Sequence, residues 1–236
     1  MRIALIGYGK MGKVIEKIAL YRGNSISHKI DKSDSISLIS IENTDIAIDF
    51  TSPESAFNNI KYCLENNIPV VSGSTGWLDK FDDIKNICSK NNGAFFYASN
   101  YSIGVNLFFK MNEMIAKLMN LQATYNVSME EIHHTQKLDA PSGTAITLAE
   151  GIINQTNNKE NWVCDTIAKS NELLITSKRI DKVPGTHTIT YDSPVDSIEI
   201  THTAHNREGF ALGAVLAAEW LKSRKGIFGM NDLLKL

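Results

Sequence analysis

The stretch from Glu131 to Ala145 collects side chains suited to holding and protonating a small acid. Two adjacent imidazoles, His133 and His134, could bind an anion and exchange a proton near neutral pH, because an unperturbed imidazole titrates close to that range. Lys137 adds a fixed positive charge that a substrate carboxylate could approach. These residue types therefore predict a site that acts on an anionic substrate.

A Ser-Gly-Thr run follows at 142–144 and is predicted to open a helix. The first N–H groups of a helix have no intrahelical partner and lie at the positive end of its dipole. Ser142, Gly143 and Thr144 could therefore bind a carboxylate or a phosphate through backbone donors and two hydroxyls. Ser142 or Asp139 could also cap this helix, which is compatible with anion binding.

A second set of residues suggests what the acid would react with. Gly7, Tyr8, Gly9, Lys10, Met11 and Gly12 fit the G-x-G-x-x-G pattern. The pattern follows a predicted strand and opens a predicted helix, which is the context that a dinucleotide-binding turn requires. Here Gly7 would allow the tight turn, Gly9 the approach of the pyrophosphate, and Gly12 close packing of helix on strand. Together the two stretches predict a hydride-transfer enzyme.

The residues after the second predicted strand bear on the choice of cofactor. Asp31 lies 19 residues past Gly12 and could accept hydrogen bonds from an adenosine ribose, which favours NADH. Lys32 follows and could pair with a 2′-phosphate, which favours NADPH, and Lys10 could add positive charge. We therefore expect the use of NADH or NADPH, with a modest preference.

Two further loops are expected at the carboxyl ends of strands, where ligands bind in open α/β sheets. One contains Gly73, Ser74 and Thr75, and the other runs through Ala98, Ser99, Asn100 and Tyr101. Both could approach the nicotinamide and its ribose.

Other polar residues give weaker evidence of a functional site. His202, His205 and Arg207 form a cationic patch, in which Arg207 could bind an anion or pair with Glu208. Glu130 and Glu131 are neighbouring carboxylates that hydride transfer does not require. Neither His-x-x-x-His nor a suitable carboxylate spacing occurs, so no metal site is expected.

Hydrophobic spacing predicts the elements that position these groups. The predicted strands are 2–6, 25–30, 45–50, 69–72, 94–97, 124–132, 173–177, 186–191 and 195–203. The predicted helices are 11–21, 53–67, 78–90, 105–120, 142–154 and 210–221, with a loop over 155–161. Strands and helices alternate over 1–100, which predicts a parallel sheet covered on both faces, whereas strands follow one another in 101–205, which predicts an antiparallel or mixed sheet. A strand reaching His133 and His134 would turn only one imidazole into the site, while a loop could bring in both.

Composition excludes several functional classes. The net charge of −2 gives no reason to expect nucleic-acid or membrane-surface binding, and no apolar run approaches a membrane span. Cys63, Cys88 and Cys164 form no Cys-x-x-Cys pair, so reduced thiols in the cytoplasm are expected. No signal peptide is recognised at the N-terminus.

The motifs resemble those of the dihydrodipicolinate reductase (4-hydroxy-tetrahydrodipicolinate reductase) family, in the same order along nearly the whole chain. They are the 7–12 glycine turn, Asp49-Phe50-Thr51-x-Pro53-Glu54, Gly73-x-Thr75-Gly76, Asn100-Tyr101-Ser102-x-Gly104-Val105-Asn106 and the 131–145 block. The His-His-x-x-Lys-x-Asp-Ala-Pro-Ser-Gly-Thr part of that block is the most specific.

The resemblance implies reduction of 4-hydroxy-tetrahydrodipicolinate in the diaminopimelate route to lysine. It implies that His133 exchanges a proton, that Lys137 is the second catalytic residue, and that His134, Gly143 and Thr144 bind the dicarboxylate. It also implies that Asp31, residues 73–75 and residues 98–101 contact the cofactor.

The implied fold is α/β, with a Rossmann dinucleotide-binding domain (1–100 with 206–236) and an α+β substrate and oligomerisation domain (101–205). The mixed sheet of the second domain would build a homotetramer, and the two lobes would close around the substrate.

The sequence departs from the family pattern between Asp31 and Asp45, where it is shorter than many members, and in having Ser74 and Tyr101 where threonine and phenylalanine are commoner. The shortened region neighbours the expected ribose site, so it bears on cofactor preference. Two alternative functions compete with this one: another amino-acid dehydrogenase of the aspartate or homoserine type, and a non-catalytic NAD-binding sensor. The sensor would need the glycine turn but not His133 and Lys137.

Overall fold

The structure is a computed structural model that describes residues 1–236. The chain divides into two compact units, Met1–Asn106 with Glu208–Leu236, and Leu107–Arg207. The strands are β1 (Arg2–Ile6), β2 (Ser25–Ile30), β3 (Ile46–Asp49), β4 (Val70–Ser72), β5 (Ala94–Tyr97), β6 (Asn126–His133), β7 (Asn161–Cys164), β8 (Glu172–Arg179), β9 (Gly185–Asp192), β10 (Ser197–Ala204) and β11 (Gly226–Phe228). The helices are α1 (Lys10–Tyr21), α2 (Pro53–Glu65), α3 (Phe81–Lys90), α4 (Ile103–Met119), α5 (Gly143–Ile153), α6 (Glu208–Leu221) and α7 (Met230–Leu234). No helix combines the length and the apolar character needed to cross a membrane.

The first unit contains a parallel sheet of six strands in the order β11-β5-β4-β3-β1-β2. Its central strands are short apolar runs that are buried on both faces, as is usual for parallel strands between helices. One apolar cluster joins the sheet to α1 and α6, and another joins it to α2 and α3. The chain places β2 on one side of β1 and β3 on the other, so the strand order reverses between β1 and β3. Ligands of open α/β sheets bind at the carboxyl ends of strands beside such a reversal.

The second unit contains a mixed sheet of five strands in the order β10-β9-β6-β8-β7. Strand β6 pairs antiparallel with β9 and parallel with β8, and its residues alternate between buried and partly exposed positions. Apolar residues of α4 and α5 cover one face of this sheet. On the other face, threonine hydroxyls of β9 and β10 contact one another across the strands, including Thr188 and Thr201 at 3.1 Å.

The fold class is confirmed, and most predicted elements are found within a few residues of their expected limits. The predicted helix over 78–90 is instead a short 3-10 turn, Leu78–Lys80, followed by α3. The loop predicted to reach residue 161 ends earlier, because Asn161 begins β7, which pairs parallel with β8. Strand β11 and helix α7 were not predicted, since segments of three and five residues carry too little periodicity to identify.

Candidate active site

A cavity of about 380 Å³ lies in the first unit at the carboxyl ends of β1, β2 and β3. Gly7, Gly9, Asp31 and Lys32 line it, so the structure brings together the two ends of the predicted dinucleotide-binding pattern. It is also lined by Ile6, Ile30, Asp34, Ile36, Phe50, Thr51, Ser52, Ser55 and Asn59. Apolar walls with a carboxylate and an ammonium at the end of β2 suit an adenosine ribose.

The glycine turn has the backbone that its sequence predicts. Gly7 has a φ of +90°, and a Cβ added there would lie 2.2 Å from the carbonyl oxygen of Phe50. Gly12 is buried, and a Cβ there would lie 2.6 Å from the carbonyl oxygen of Gly7. A Cβ on Gly9 would meet nothing within 4 Å, so the backbone of that exposed residue is open to a ligand. The site therefore fits a dinucleotide.

The other residues of the glycine turn have separate surroundings. Tyr8 donates its hydroxyl to Glu16, and the ammonium of Lys29 lies 4.8 Å from its ring centre. Lys10 is exposed at the start of α1, and Met11 is partly buried against the core.

A buried carboxylate, Asp49, organises the loops that follow β3 and β4. It accepts hydrogen bonds from the hydroxyls of Thr51, Ser72 and Ser74 at 2.7–2.9 Å and from the Asn59 amide at 3.2 Å. The Thr51 N–H in turn donates to Ser74 at 2.7 Å. Burial raises the pKa of Asp49, although the surrounding donors oppose this shift. The predicted contact residue Ser74 is thus engaged by the protein itself, while Thr75 beside it is exposed. A Cβ at Gly73 would lie 2.4 Å from the Phe50 ring, so a larger residue there would require that ring to move.

The loop after β5 has one buried anchor. The Tyr101 ring is 1% exposed, and its hydroxyl donates to the Ser72 carbonyl at 2.7 Å. Ala98 is buried, Ser99 is exposed and Asn100 accepts from the Ser102 N–H at 2.9 Å. Residues 73–75 and 98–101 therefore follow neighbouring strands at one sheet edge, but they do not line the cavity beside Asp31.

In the second unit, the polar cluster is built around Glu131, which is completely buried on β6. Its carboxylate accepts from the Ser142 N–H at 3.1 and 3.2 Å, from the Ser177 hydroxyl at 2.9 Å and from Arg179 at 3.2 Å. It also lies 3.4 Å from Nδ1 of His133 and 3.6 Å from Nε2 of His187. Burial acts to raise the pKa of Glu131, but the contacts with His187, Ser142 and Ser177 outweigh it and lower this pKa. The carboxylate is therefore ionised.

The two predicted imidazoles have different surroundings. His133 is the last residue of β6 and is 7% exposed, whereas His134 is partly exposed in the turn that follows. The strand ends at His133, so the predicted case of a strand through both histidines does not apply. Burial lowers the pKa of His133 to about 4; Glu131 opposes this shift, while His187, Lys137 and Arg179 add to it. His133 is consequently neutral at physiological pH when no ligand is bound.

Lys137 lies in the same turn, and its ammonium contacts both carboxylate oxygens of Asp139 at 2.8 Å. Burial acts to raise the pKa of Asp139, but hydrogen bonding to Lys137 outweighs it and lowers this pKa. Arg179 supports the turn, since its guanidinium donates to the carbonyl oxygens of Lys137 and Asp139. The turn that carries Lys137 is therefore tied to β8.

The Ser-Gly-Thr run opens α5 as predicted. Ser142 is the N-cap residue, its hydroxyl accepts from the Ala145 N–H at 3.2 Å, and it lies 3.2 Å from Nε2 of His187. Gly143 is exposed and Thr144 partly exposed, so the first N–H groups of the helix face an accessible surface. An anion can bind to these donors while Ser142 remains the cap.

A second cavity, of about 430 Å³, lies beside His134 in the same unit. Its lining combines His134 with Lys182 and Arg207 and is otherwise formed by Thr135, Gln136, Asp181, Pro184 and Asn206. The basic side chains suit a carboxylate.

Sequence reasoning missed three residues of the cluster: Glu131, Arg179 and His187. Glu131, to which the sequence assigned no role, is completely buried at the centre of the cluster. Arg179 and His187 lie on β8 and β9, far from the 131–145 block in sequence, and only strand pairing brings them together. Glu131, His133 and His187 offer potential metal ligands within 4.8 Å of one another, although the Arg179 guanidinium beside Glu131 disfavours a second cation there.

The chain matches known proteins along nearly its whole length. Residues 1–101 match the sequence model described as dihydrodipicolinate reductase, N-terminus, and residues 104–234 match the one described as dihydrodipicolinate reductase, C-terminus. The chain is 52% identical to the 4-hydroxy-tetrahydrodipicolinate reductase of Christiangramia forsetii over 99% of this chain and 98% of that protein. It is 35% identical to the enzyme of the same name from Buchnera aphidicola subsp. Schizaphis graminum, over 99% and 97% of the two chains.

The fold is also similar to that of a solved structure, a dipicolinate-bound dihydrodipicolinate reductase from Paenisporosarcina sp. TG-14. The TM-score is 0.82 at 22% identity, over 98% of each chain.

Proposed function

Because the chain belongs to the dihydrodipicolinate reductase family, we propose specific roles for its residues in the reaction of that family. The chain is an oxidoreductase that reduces 4-hydroxy-tetrahydrodipicolinate to tetrahydrodipicolinate with NADH or NADPH, in the diaminopimelate route to lysine. The nicotinamide cofactor supplies a hydride when bound. The observation that carries the proposed roles is the set of contacts around the buried Glu131. These contacts join His133, the N-terminus of α5 and, through Arg179, the turn that carries Lys137.

The two units would divide the work. Unit Met1–Asn106 with Glu208–Leu236 is the dinucleotide-binding domain, with Gly7–Gly12, Asp31 and Lys32 at the pyrophosphate and ribose and with residues 73–75 and 98–101 nearer the nicotinamide. The buried Ser74 and Tyr101 side chains would act there by shaping their loops. Unit Leu107–Arg207 is the substrate-binding and tetramerisation domain.

His133 is the proton-exchanging residue in this proposal. Its imidazole is neutral in the free protein because burial lowers its pKa to about 4. A bound dicarboxylate would bring two negative charges beside it, and nearby negative charge favours the protonated imidazole. Substrate binding would therefore raise the pKa of His133 and prepare it to exchange a proton at Nε2.

Lys137 and the N-terminus of α5 hold the substrate. The ammonium of Lys137 would contact a substrate carboxylate and stabilise charge that develops during reduction, with Asp139 keeping it in place until then. Gly143 and Thr144 would receive a carboxylate on their N–H groups, as helix N-termini do. His134 and Ser142 complete the substrate contacts.

The compartment is proposed to be the cytoplasm, because all three cysteines are free thiols and thiols persist in reducing compartments.

A coupled assay tests these roles. A synthase forms the substrate from pyruvate and aspartate semialdehyde, and absorbance at 340 nm follows oxidation of NADH and NADPH in separate reactions. We expect His133→Ala and Lys137→Ala to lower kcat by about 100-fold or more, the scale of a lost general acid or positioning charge. Glu150→Gln, a change of an exposed α5 residue in the same unit, serves as the control. Near-normal turnover by both alanine variants would refute the assignment.

A further inference from the structure

The most enclosed charge of the second unit belongs to a residue that transfers neither hydride nor proton. Glu131 is 0% exposed, and its carboxylate contacts groups on three other segments of the chain. Ser177 and Arg179 are on β8, His187 is on β9, and Ser142 is the N-cap of α5. Burying a carboxylate is costly unless it is well paired, so a residue with this many partners fixes their mutual positions.

Its relation to His133 is closest to the chemistry. The two residues are separated by one position on β6, so they point to the same face of the sheet. Nδ1 of His133 is enclosed and has no hydrogen-bond partner of ordinary geometry, and the Glu131 carboxylate lies 3.4 Å away. An ionised carboxylate at that nitrogen favours the tautomer that carries its proton on Nδ1.

The opposite nitrogen is then left for the substrate. A Cβ added at Gly185 would lie 3.0 Å from Nε2 of His133, so a glycine at this position avoids crowding that nitrogen. The same carboxylate accepts the Ser142 N–H, which fixes the helix end where the substrate carboxylate is proposed to bind. The Glu131 carboxylate therefore sets the distance between the His133 imidazole and the N-terminus of α5.

We propose that Glu131 is the positioning residue of this site, which orients the His133 imidazole through Nδ1 and holds the N-terminus of α5 beside it through the Ser142 N–H. This inference rests on the proposed role of His133. Arg179 supports Glu131 by pairing with it and by bracing the turn that carries Lys137.

The test compares two changes of Glu131 with the exposed control Glu150→Gln. Glu131→Gln keeps the shape of the side chain and removes its charge. Glu131→Asp keeps the charge but, being one methylene shorter, moves the carboxylate away from its partners. We expect kcat to fall about 100-fold in Glu131→Gln and about 10-fold in Glu131→Asp, the range in which lost supporting contacts alter activity. The KM for NADH should change by less than about twofold, because the cavity beside Asp31 is built from other residues.

A spectroscopic measurement separates positioning from general destabilisation. Nitrogen NMR of protein labelled at its six histidines reports which ring nitrogen carries the proton, and a His133→Asn spectrum assigns the signal. We expect His133 in the wild-type protein to be the Nδ1–H tautomer. In folded Glu131→Gln it should become a mixture of tautomers, while Glu150→Gln should leave it unchanged.

The outcomes are distinct. A folded Glu131→Gln protein with wild-type kcat and an unchanged His133 tautomer would overturn the proposal. If that protein does not fold, Glu131→Asp decides: wild-type kcat overturns the proposal, and reduced kcat in a folded protein supports it. If His133→Ala keeps full turnover, the proposed function fails instead, and the tautomer measurement still reports whether Glu131 orients this imidazole.

Discussion

The His133 side chain couples the chemistry of the site to the stability of the protein. Burial lowers its pKa to about 4 from an ordinary value of 6.5, so the unfolded chain takes up a proton at this residue more readily than the folded chain. Its contribution to stability is therefore complete above about pH 6.5 and is lost as the pH falls towards 4. The folded protein thus keeps this proton-exchanging residue neutral at physiological pH, and protonation of the unfolded chain at lower pH opposes folding.

We expect the free energy of unfolding attributable to His133 to fall by about 2 kcal/mol between pH 7 and pH 5. His133→Gln removes the titrating group, so its urea unfolding should depend less on pH by that amount. His202, whose pKa burial also lowers, is present in both proteins and cancels in the comparison. Equal pH dependence in the two proteins, measured without substrate at both pH values, would contradict the assigned pKa.

At the residue scale, the sequence was most informative where several reactive groups were adjacent. The 131–145 block and the glycine turn each place their groups within a few positions, so residue types alone indicated the chemistry. The role of Glu131 was not predictable in this way, because its partners Arg179 and His187 come from other strands. A buried ion-pair cluster has no local sequence signal.

At the scale of elements, helix α6 approaches the backbone of the loop after β5 closely. A Cβ added at Gly213 of α6 would lie 1.8 Å from the Tyr101 carbonyl oxygen. The helix packs closely against its neighbours because its buried face consists largely of small residues: Ala211, Gly213, Ala214, Ala217 and Ala218. The helix thereby holds the loop that carries Tyr101.

Gly213→Ala should therefore destabilise the protein by about 3 kcal/mol, because the backbones must separate to admit the methyl group. Gly209→Ala is the matched control on the same helix, since its Cβ would lie 3.7 Å from the Ser102 hydroxyl, an ordinary contact. Alanine is the better helix former, so the control should be neutral or more stable. Calorimetry of both variants checks the opposite signs, and equal melting temperatures would mean that α6 and the loop are not in close contact.

The elements that could be predicted are those with enough residues to show a period. Buried and partly exposed residues alternate along the eight-residue strand β6, and apolar residues recur at helical spacing in α1. Both elements were predicted to within a few residues. The short strands β7 and β11 depend on their partners, β8 and β5, for their identity. These strands form because they pair with distant segments, so the local sequence pattern could not predict them.

At the scale of the whole molecule, the second unit presents a sheet face that no helix of that unit covers. Hydroxyls pair across it between Thr186 and Thr203 and between Thr188 and Thr201. Apolar side chains are also exposed along α4, at Leu107, Met111, Met114 and Leu118. Exposed apolar patches such as that of α4 commonly mark contacts between protein chains. The family resemblance implies instead that the mixed sheet builds the homotetramer, and we propose that this uncovered sheet face forms the interface.

Light scattering should then give a mass of four times the 26.2 kDa chain for the wild-type protein. Thr188→Arg places a charge at the middle of the threonine face, where burying it between chains is costly, so we expect dimers or monomers. Ser89→Arg, on the exposed side of α3 in the other unit, should leave the mass unchanged. Met114→Lys tests the α4 surface separately: a loss of tetramer in this variant, with Thr188→Arg still tetrameric, would place the interface on the helix and refute the assignment to the sheet.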